Sequence, residues 1–273
     1  MSVFIASLNS GSNGNCYYVG NENEAVLIDI GISCREVEKR LNQLKLSPSK
    51  IKAVFISHEH SDHIKGLRVF SKRHGIPVFI NSKTLHGCRF ILSPSSIRPL
   101  NYPDSIKIGN LNITAFSKYH DAADPCSFMV ESNGIKIGIF TDIGFACANI
   151  IHHFKQCHAA FLESNYDENM LEQGNYPYHL KARIRGGKGH LSNRQALQLF
   201  LEHKPAWMTH LILSHLSANN NRPDIVEKLF RENCCGVEIV VASRQRETPL
   251  FSIGANVLSE RIVQPELTQL ALF

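Results

Sequence analysis

The chain has 273 residues, 43% of them hydrophobic and 19% charged, with 17 Gly and 11 Pro, which excludes a disordered, collagen-like or membrane-embedded protein. Its length suits one large α/β domain or two small ones. A net charge of +5 permits a polyanionic partner without requiring one.

The first residues, Met1 to Ser7, lack a basic start and reach Asn9-Ser10-Gly11 before any apolar stretch of signal length. Export and membrane spanning are not expected. Eight cysteines without a C-x-x-C spacing fit reduced thiols in a cytoplasmic protein.

Ala25-Val26-Leu27-Ile28 is an apolar run of strand length that ends in Asp29 and Gly31. Ser33, with Glu36 three residues on, predicts a capped amphipathic helix through Leu41 and Leu44. The arrangement returns in Ala53-Val54-Phe55-Ile56, a polar loop from Ser57 to His63, and a helix carrying Leu67 and Phe70 that stops near Gly75. Pro77-Val78-Phe79-Ile80 predicts another strand. Antiparallel strands are expected at 111–116, 127–130 and 135–140, the last two joined through Ser132-Asn133-Gly134, whose Asn-Gly pair suits a tight hairpin. A helix over 149–156, a strand over 159–162 and a helix capped by Ser192 and Gln195 that runs to about His203 follow. A strand over 211–213, a helix over 223–230 and a strand over 237–242 complete the series. Without an internal repeat, or a linker before about residue 260, the sequence predicts one mixed α/β domain over 1–260 and a tail over 261–273.

The segment His58-Glu59-His60-Ser61-Asp62-His63 follows a buried strand directly. Three imidazoles and two carboxylates so close together are costly to desolvate unless something binds them. Further His and Asp residues stand where strands should end: Asp29, His120, Asp142 and His215. Open α/β folds place their chemistry there, because a rigid sheet aims several short loops at one point.

This order, H-x-H-x-D-H followed by a separate His, a separate Asp and a distal His, resembles the metallo-β-lactamase superfamily from Asp29 to His215. Finer features resemble its WalJ/YycJ-like metal-dependent hydrolases: Ser10-Gly11-Ser12-Asn13-Gly14-Asn15-Cys16, His120-Asp121-Ala122 with Asp124-Pro125, Glu163-Ser164-Asn165, Gly189-His190-Leu191-Ser192-Asn193 and Leu213-Ser214-His215-Leu216-Ser217. The resemblance implies a four-layer αββα sandwich with a dinuclear metal site at the sheet edge. Carried over by residue, His58, His60 and His120 would hold one ion, Asp62, His63 and His215 the second, and Asp142 would bridge them. Asp29 would orient a ligand imidazole or tighten the loop, and Glu59 and Ser61 would point away. The nitrogen and oxygen donors suit Zn²⁺ or Mn²⁺ alike.

Where lactam-cleaving members have a cysteine, this chain has Asp142, a carboxylate able to bridge two ions. A two-ion site activates water and stabilises the attacking and leaving oxygens of an in-line displacement, which favours phosphodiester chemistry and leaves thioester hydrolysis open. Lys181, Arg183, Arg185 and Lys188, followed by glycines, have the chemistry expected for a phosphate backbone, or of a solvated helix face. His190 is expected to donate a hydrogen bond or proton to the scissile phosphate or leaving oxygen, beside Asp62 and Asp142 as catalytic residues. Asn219-Asn220-Asn221, Asn220 above all, would line the substrate channel or form only a turn; the Ser10–Asn15 loop is a glycine-rich turn by composition and a rim of the site by resemblance. At the end of the chain, Gln269, Leu270, Leu272 and Phe273 resemble the short peptide by which bacterial DNA-processing proteins bind the replicative sliding clamp, or would pack on their own domain as a last strand.

The resemblance thus implies a dinuclear-metal phosphodiesterase, a 5′-to-3′ exonuclease on double-stranded DNA serving repair or replication. The alternatives are an RNA-processing enzyme of the tRNA-maturation type and a glyoxalase II-type thioester hydrolase. Composition and periodicity do not separate DNA from RNA.

Overall fold

The computed structural model describes residues 2–254, so the predicted tail with Gln269, Leu270, Leu272 and Phe273 lies outside the described residues, as does the boundary at 260. Along the chain run β1 (Val3–Asn9), β2 (Cys16–Gly20), β3 (Ala25–Ile28), α1 (Cys34–Gln43), β4 (Ile51–Phe55), α2 (Ser61–Ile64), α3 (Leu67–His74), β5 (Val78–Ile80), α4 (Ser82–Gly87) and β6 (Ile97–Pro99). There follow β7 (Ser105–Ile108), β8 (Leu111–Ser117), β9 (Cys126–Ser132), β10 (Ile135–Phe140), α5 (Ala148–Phe154), β11 (Ala159–Glu163), α6 (Glu168–Gln173) and α7 (Tyr178–Arg185). Last come α8 (Asn193–His203), β12 (His210–Ser214), α9 (Pro223–Asn233), β13 (Glu238–Val241) and β14 (Phe251–Ile253).

The strands form two sheets, in the orders β14-β1-β2-β3-β4-β5-β6 and β13-β12-β11-β10-β9-β8-β7. Alternation along each strand decides which face meets what. Val26 and Ile28 of β3 pack between the sheets with Phe55, Phe128 and Phe161, whereas Ala25 and Leu27 face the outer layer with Val37 and Leu41 of α1 and Phe70 of α3. The second sheet's outer face is covered from α5, α8 and α9 by Ile150, Phe200 and Phe230. These are the four αββα layers implied by the resemblance. Burial on both faces is also why β3 and the Ala53–Phe55 end of β4 read as unbroken apolar runs.

The local signals hold where they were strong. Ser33 Oγ accepts from Glu36 N at the start of α1, Ser192 and Gln195 form a reciprocal capping box on α8, and Gly75 closes α3 in a left-handed conformation. Asn133 and Gly134 both have positive φ in the two-residue turn between β9 and β10. One expectation changes: the polar loop 57–63 ends in the helical turn α2, so Asp62 and His63 sit on a helix start rather than in a loop. The strands β1, β2, β6, β7 and β14 and the helices α4, α6 and α7 also add to the expected series. All eight cysteines are free thiols. Among the described residues, no helix is long and apolar enough to cross a membrane.

The parallel pairs position the chemistry. β3 and β4 run the same way, as do β10, β11 and β12, so their carboxyl ends point to one edge of the sandwich. Gly31 lets the first of these ends close on α2: a Cβ there would stand 1.6 Å from Asp62 O and 2.4 Å from Asn15 N. Asn15 N in turn donates to Asp62 O at 2.7 Å. Gly31→Ala is therefore expected to cost about 1–3 kcal/mol by overpacking, visible as a fall of several degrees in the Tm of the metal-stripped protein. An unchanged Tm would mean that the backbones need not approach.

A second tie joins the sheets. Glu24 Oε1 accepts from Asn21 Nδ2 at 2.8 Å and from Asn110 N, in the β7–β8 turn, at 2.7 Å. Burial works against its charge, yet these donors hold its carboxyl below the usual range. A depressed folded pKa contributes stability above the unfolded value, near 4.5, and loses it as pH falls through the folded one. Thermal melts of wild type and Glu24→Gln should therefore differ most at neutral pH and converge as pH drops below about 4.5; a gap that persists to about pH 3 would exclude the charge as its source.

Candidate metal centre and catalytic cleft

Three of the five non-glycine residues with positive φ among the described residues stand at these strand ends: Asp29 (61°), Asp142 (54°) and His215 (56°). Such backbone is sparsely used by L-residues and marks functional sites; Asp, Asn and His tolerate it best. Each residue turns its chain sharply off a strand and into the centre.

The imidazoles are fixed from behind. His63 donates from Nδ1 to Asp29 Oδ2 at 2.7 Å, and the same carboxylate accepts Ser57 Oγ at 2.7 Å and Ser57 N at 2.8 Å. With its proton committed to Asp29, Ser57 Oγ is left to accept from His58 Nδ1, 2.9 Å away. His120 Nδ1 donates to Gly189 O at 3.1 Å, and His215 Nδ1 lies 3.0 Å from Glu163 Oε1. Anchoring every Nδ1 leaves four Nε2 atoms aimed inward, the outer support that metal-binding histidines use. His60 differs, presenting Nδ1, which is 3.1 Å from His58 Nε2.

Two donor groups result. One nitrogen each from His58, His60 and His120 lies within 4.8 Å of the others, and so do atoms of Asp62, His63 and His215. The Asp142 carboxylate stands between them, Oδ2 3.1 Å from His63 Nε2 and Oδ1 3.6 Å from His120 Nε2. His120 Nε2 and Asp142 Oδ2 are buried without a hydrogen-bonding partner, a costly state for groups of this kind unless a ligand takes them up. Nitrogen and carboxylate donors with orphaned, inward-facing atoms fit divalent cations.

Charge agrees. Burial keeps His58 well below the ordinary imidazole value and lowers His120 to about 4, so both are neutral, as ligands must be. At His63 burial is overcome by Asp142, Asp29 and Asp62, which push it well above that value; at His215 it is overcome by Asp142, Asp62 and Glu163, which raise it to about 10. Burial likewise resists ionisation of Asp142 and Asp62, but His63 and His215 hold both carboxyls well below the usual range. The carboxylates demand positive charge among them.

Glu163 is the residue whose role sequence reasoning missed. It closes β11 as Asp29 and Asp142 close their strands, and that strand-end position was the available signal. Fully buried, it accepts from His190 Nδ1 at 2.7 Å and His215 Nδ1 at 3.0 Å through Oε1, and from Ile143 N at 2.8 Å and Leu191 N at 3.1 Å through Oε2. Burial opposes its charge, but His190 and His215 lower its carboxyl to about 2.

His60, Asp62, His120, Asp142, His190 and His215 face a cleft of about 260 Å³. A larger hollow, about 520 Å³, beside α3 shares no lining residue with it and holds none of this chemistry. Arg183 reaches the cleft wall, with Nε and Nη2 each 2.5 Å from Asp121 Oδ2. Lys181 and Arg185 turn instead to Glu172 of α6, and Lys188 stands exposed on the turn after α7; none of the three lines the cleft. Asn220 is buried and hydrogen-bonds Asp167 N and Ser217, shaping its own loop, while Asn219 reaches the wall through Tyr176 Oη at 2.8 Å. The Ser10–Asn15 loop contributes Ser12 to the wall, and Ser10 Oγ accepts His215 N at 2.7 Å. Glu59 turns away to accept Ala123 N at 2.8 Å.

Glu163→Ala should weaken metal binding about 10–100-fold by freeing two imidazoles. Competition with a chromogenic chelator measures it, and wild-type affinity in the variant would reduce Glu163 to a filler of space.

Residues 24–216 match the β-lactamase superfamily domain. The chain is 31% identical over 244 residues to exodeoxyribonuclease YycJ of Bacillus anthracis, covering 87% of this chain and 92% of that one. It is 27% identical over 219 residues to exodeoxyribonuclease WalJ of Streptococcus pneumoniae, covering 78% and 81%. Its backbone superposes on the metallo-β-lactamase fold protein YhfI from Bacillus subtilis with a TM-score of 0.69 at 15% identity, over 91% of this chain and 99% of that one. With the fold, the donor geometry and these similarities in agreement, the chain belongs to the metallo-β-lactamase superfamily of hydrolases, in its WalJ/YycJ-like branch.

Proposed function

We propose that this protein is a two-metal phosphodiesterase that removes nucleotides from the 5′ end of double-stranded DNA. The observation that carries the reading is the pair of donor groups on either side of the Asp142 carboxylate, open to a cleft with His190 and Arg183 in its wall. His58, His60 and His120 would hold one divalent ion, Zn²⁺ or Mn²⁺, and Asp62, His63 and His215 the second, with Asp142 shared. Two such ions supply the Lewis acidity that makes water nucleophilic near neutral pH and offsets charge on a phosphodiester.

The chain's own residues do the rest. Glu163 accepts the Nδ1 proton of His190 as a hydrogen bond, so that when the ring carries both protons Nε2 donates toward a phosphate or leaving oxygen. Arg183 can exchange Asp121 for a phosphate, and Lys188 offers a second cation beside it. The names of the relatives, exodeoxyribonucleases, support DNA as the polymer. The duplex substrate and the 5′ polarity are part of the proposal. So are the cytoplasmic setting and the role in repair or replication, which rests on the sliding-clamp reading of Gln269 to Phe273.

The test uses protein stripped of metal and reloaded with Mn²⁺ or Zn²⁺, given 5′-labelled and 3′-labelled DNA duplexes and a matched RNA. Short 5′ products from the DNA alone are expected, abolished by Asp142→Ala and reduced about 10²–10⁴-fold in kcat by His190→Ala at full metal content. Normal cleavage by the His190 variant would remove its catalytic role. Equal cleavage of RNA would move the substrate class, and no cleavage of either polymer by protein holding two ions would overturn the nuclease reading in favour of thioesters.

A further inference from the structure

Beside the cleft two aromatic rings stand in water. Tyr119 is 51% exposed and Phe145 41%, large apolar surfaces in contact with each other at a centroid distance of 4.7 Å and an interplanar angle of 32°. Exposed rings scattered singly are ordinary, but a paired set on the segments that carry His120 and Asp142 into the cleft is a candidate recognition surface.

The backbone ties this pair to the site. Tyr119 directly precedes His120, and Gly144 N donates to Tyr119 O at 2.7 Å. Ile143 N, two residues before Phe145, hangs on Glu163 Oε2, the carboxylate that aims His190 and His215. Gly144 packs backbone to backbone against the turn that leads into His190: a Cβ there would stand 2.2 Å from Gly187 O. A Cβ on Gly187 would in turn lie 3.9 Å from the Phe145 ring. Rings, turn and His190 form one rim. Two cations share it, the exposed Lys188 on the same turn and Arg183, whose side chain is 64% exposed.

Flat apolar faces interleaved with cations, next to a site built for a phosphodiester, match a nucleotide: the base stacks while its phosphate meets Lys or Arg. Every base has a π-face, so such a surface holds a strand end without reading its sequence. We infer that Tyr119 and Phe145 form a stacking platform for an unpaired nucleobase at the strand end whose phosphodiester enters the cleft, with Lys188 on the adjoining phosphate. The inference rests on the nuclease reading and names how that enzyme takes hold of its substrate end. The platform sets KM and end preference, whereas the donor groups set the chemistry.

The test compares two duplexes of equal length whose cleaved strand ends either in a normal unpaired nucleotide or in an abasic one. The metal-loaded wild type should favour the base-bearing end about 10- to 100-fold in kcat/KM, chiefly through KM. Tyr119→Ala/Phe145→Ala should erase that preference by lowering its rate on the base-bearing end, with two ions still bound by mass spectrometry. Tyr119→Phe/Phe145→Trp, which keeps two flat rings, should restore it. The wild-type comparison needs no substitution and decides the question even where a ring proves necessary for folding. Equal rates on the two ends, or an alanine variant that slows both by the same factor, would overturn the platform alone. No cleavage of either duplex by wild type that still hydrolyses bis(p-nitrophenyl) phosphate would reject the nucleic-acid reading and this inference with it.

Discussion

The carboxylate of Asp142, almost wholly removed from water on a left-handed backbone, is the constraint around which the cleft is organised. A buried charge of this kind costs several kcal/mol unless positive charge meets it at close range. The chain answers with His63, held between Asp29 at Nδ1 and Asp142 at Nε2, and with His215, whose Nδ1 faces both Asp142 and Glu163, while Asp62 lies 3.6 Å from His63 and 3.4 Å from His215. Four carboxyl groups thus surround two imidazoles. His58 and His120, buried and neutral, add donors without adding charge. A centre so composed is electrically incomplete by itself, which is the physical content of calling it a cation site.

Such convergence needs a frame that holds six separate chain segments in fixed register. Parallel strands supply it, because their carboxyl ends fall at one edge and their registers are fixed by burial on both faces. Phe140 pairs with Leu162 and Glu163 with Ser214, so Asp142, Glu163 and His215 leave three adjacent strands at nearly the same level. The positive φ at Asp29, Asp142 and His215 then turns each chain at once toward the centre. The strained positions and the close approach at Gly31 are one device: a short turn places a side chain more reproducibly than a long loop.

Much of this was legible in the sequence, and the failures have physical causes. Apolar runs such as 25–28 and 53–56 announce strands buried on both faces, and Ser33, Ser192 and Asn133-Gly134 announce their caps and turn through their own hydrogen bonding and conformational freedom. Strand β1 was less visible because Ser7 and Asn9 are polar yet buried, Asn9 Oδ1 accepting from Arg40, far away in sequence. Helix α7 buries none of its residues and so shows no 3.6-residue apolar period. Within the site, His and Asp are conspicuous by type, but Glu163 gains meaning only when two imidazoles from other segments arrive at one oxygen. Pairing of Lys181 and Arg185 with α6 is likewise a tertiary fact that a basic run cannot disclose.

That pairing bears on how the cleft meets a polyanion. The basic run does not form a continuous groove, since Lys181 and Arg185 are engaged behind the wall and Arg183 alone of the four lines the cleft. The Arg183–Asp121 contact is an exposed ion pair, worth about 0–1 kcal/mol in water, so an incoming phosphate competes with it at small cost. The bonds from Glu163 are buried, charge-assisted and shared among four donors, and they do not yield. The cleft therefore has a rigid floor, where the donors sit, and an adjustable wall, where a guanidinium can change partner. Asp121 Oδ1 also lies 3.2 Å from His120 Nε2, so a phosphate that draws Arg183 away alters the charge facing a candidate ligand of the first ion. The ion pair of the wall and the donors of the centre thus meet at that one carboxylate.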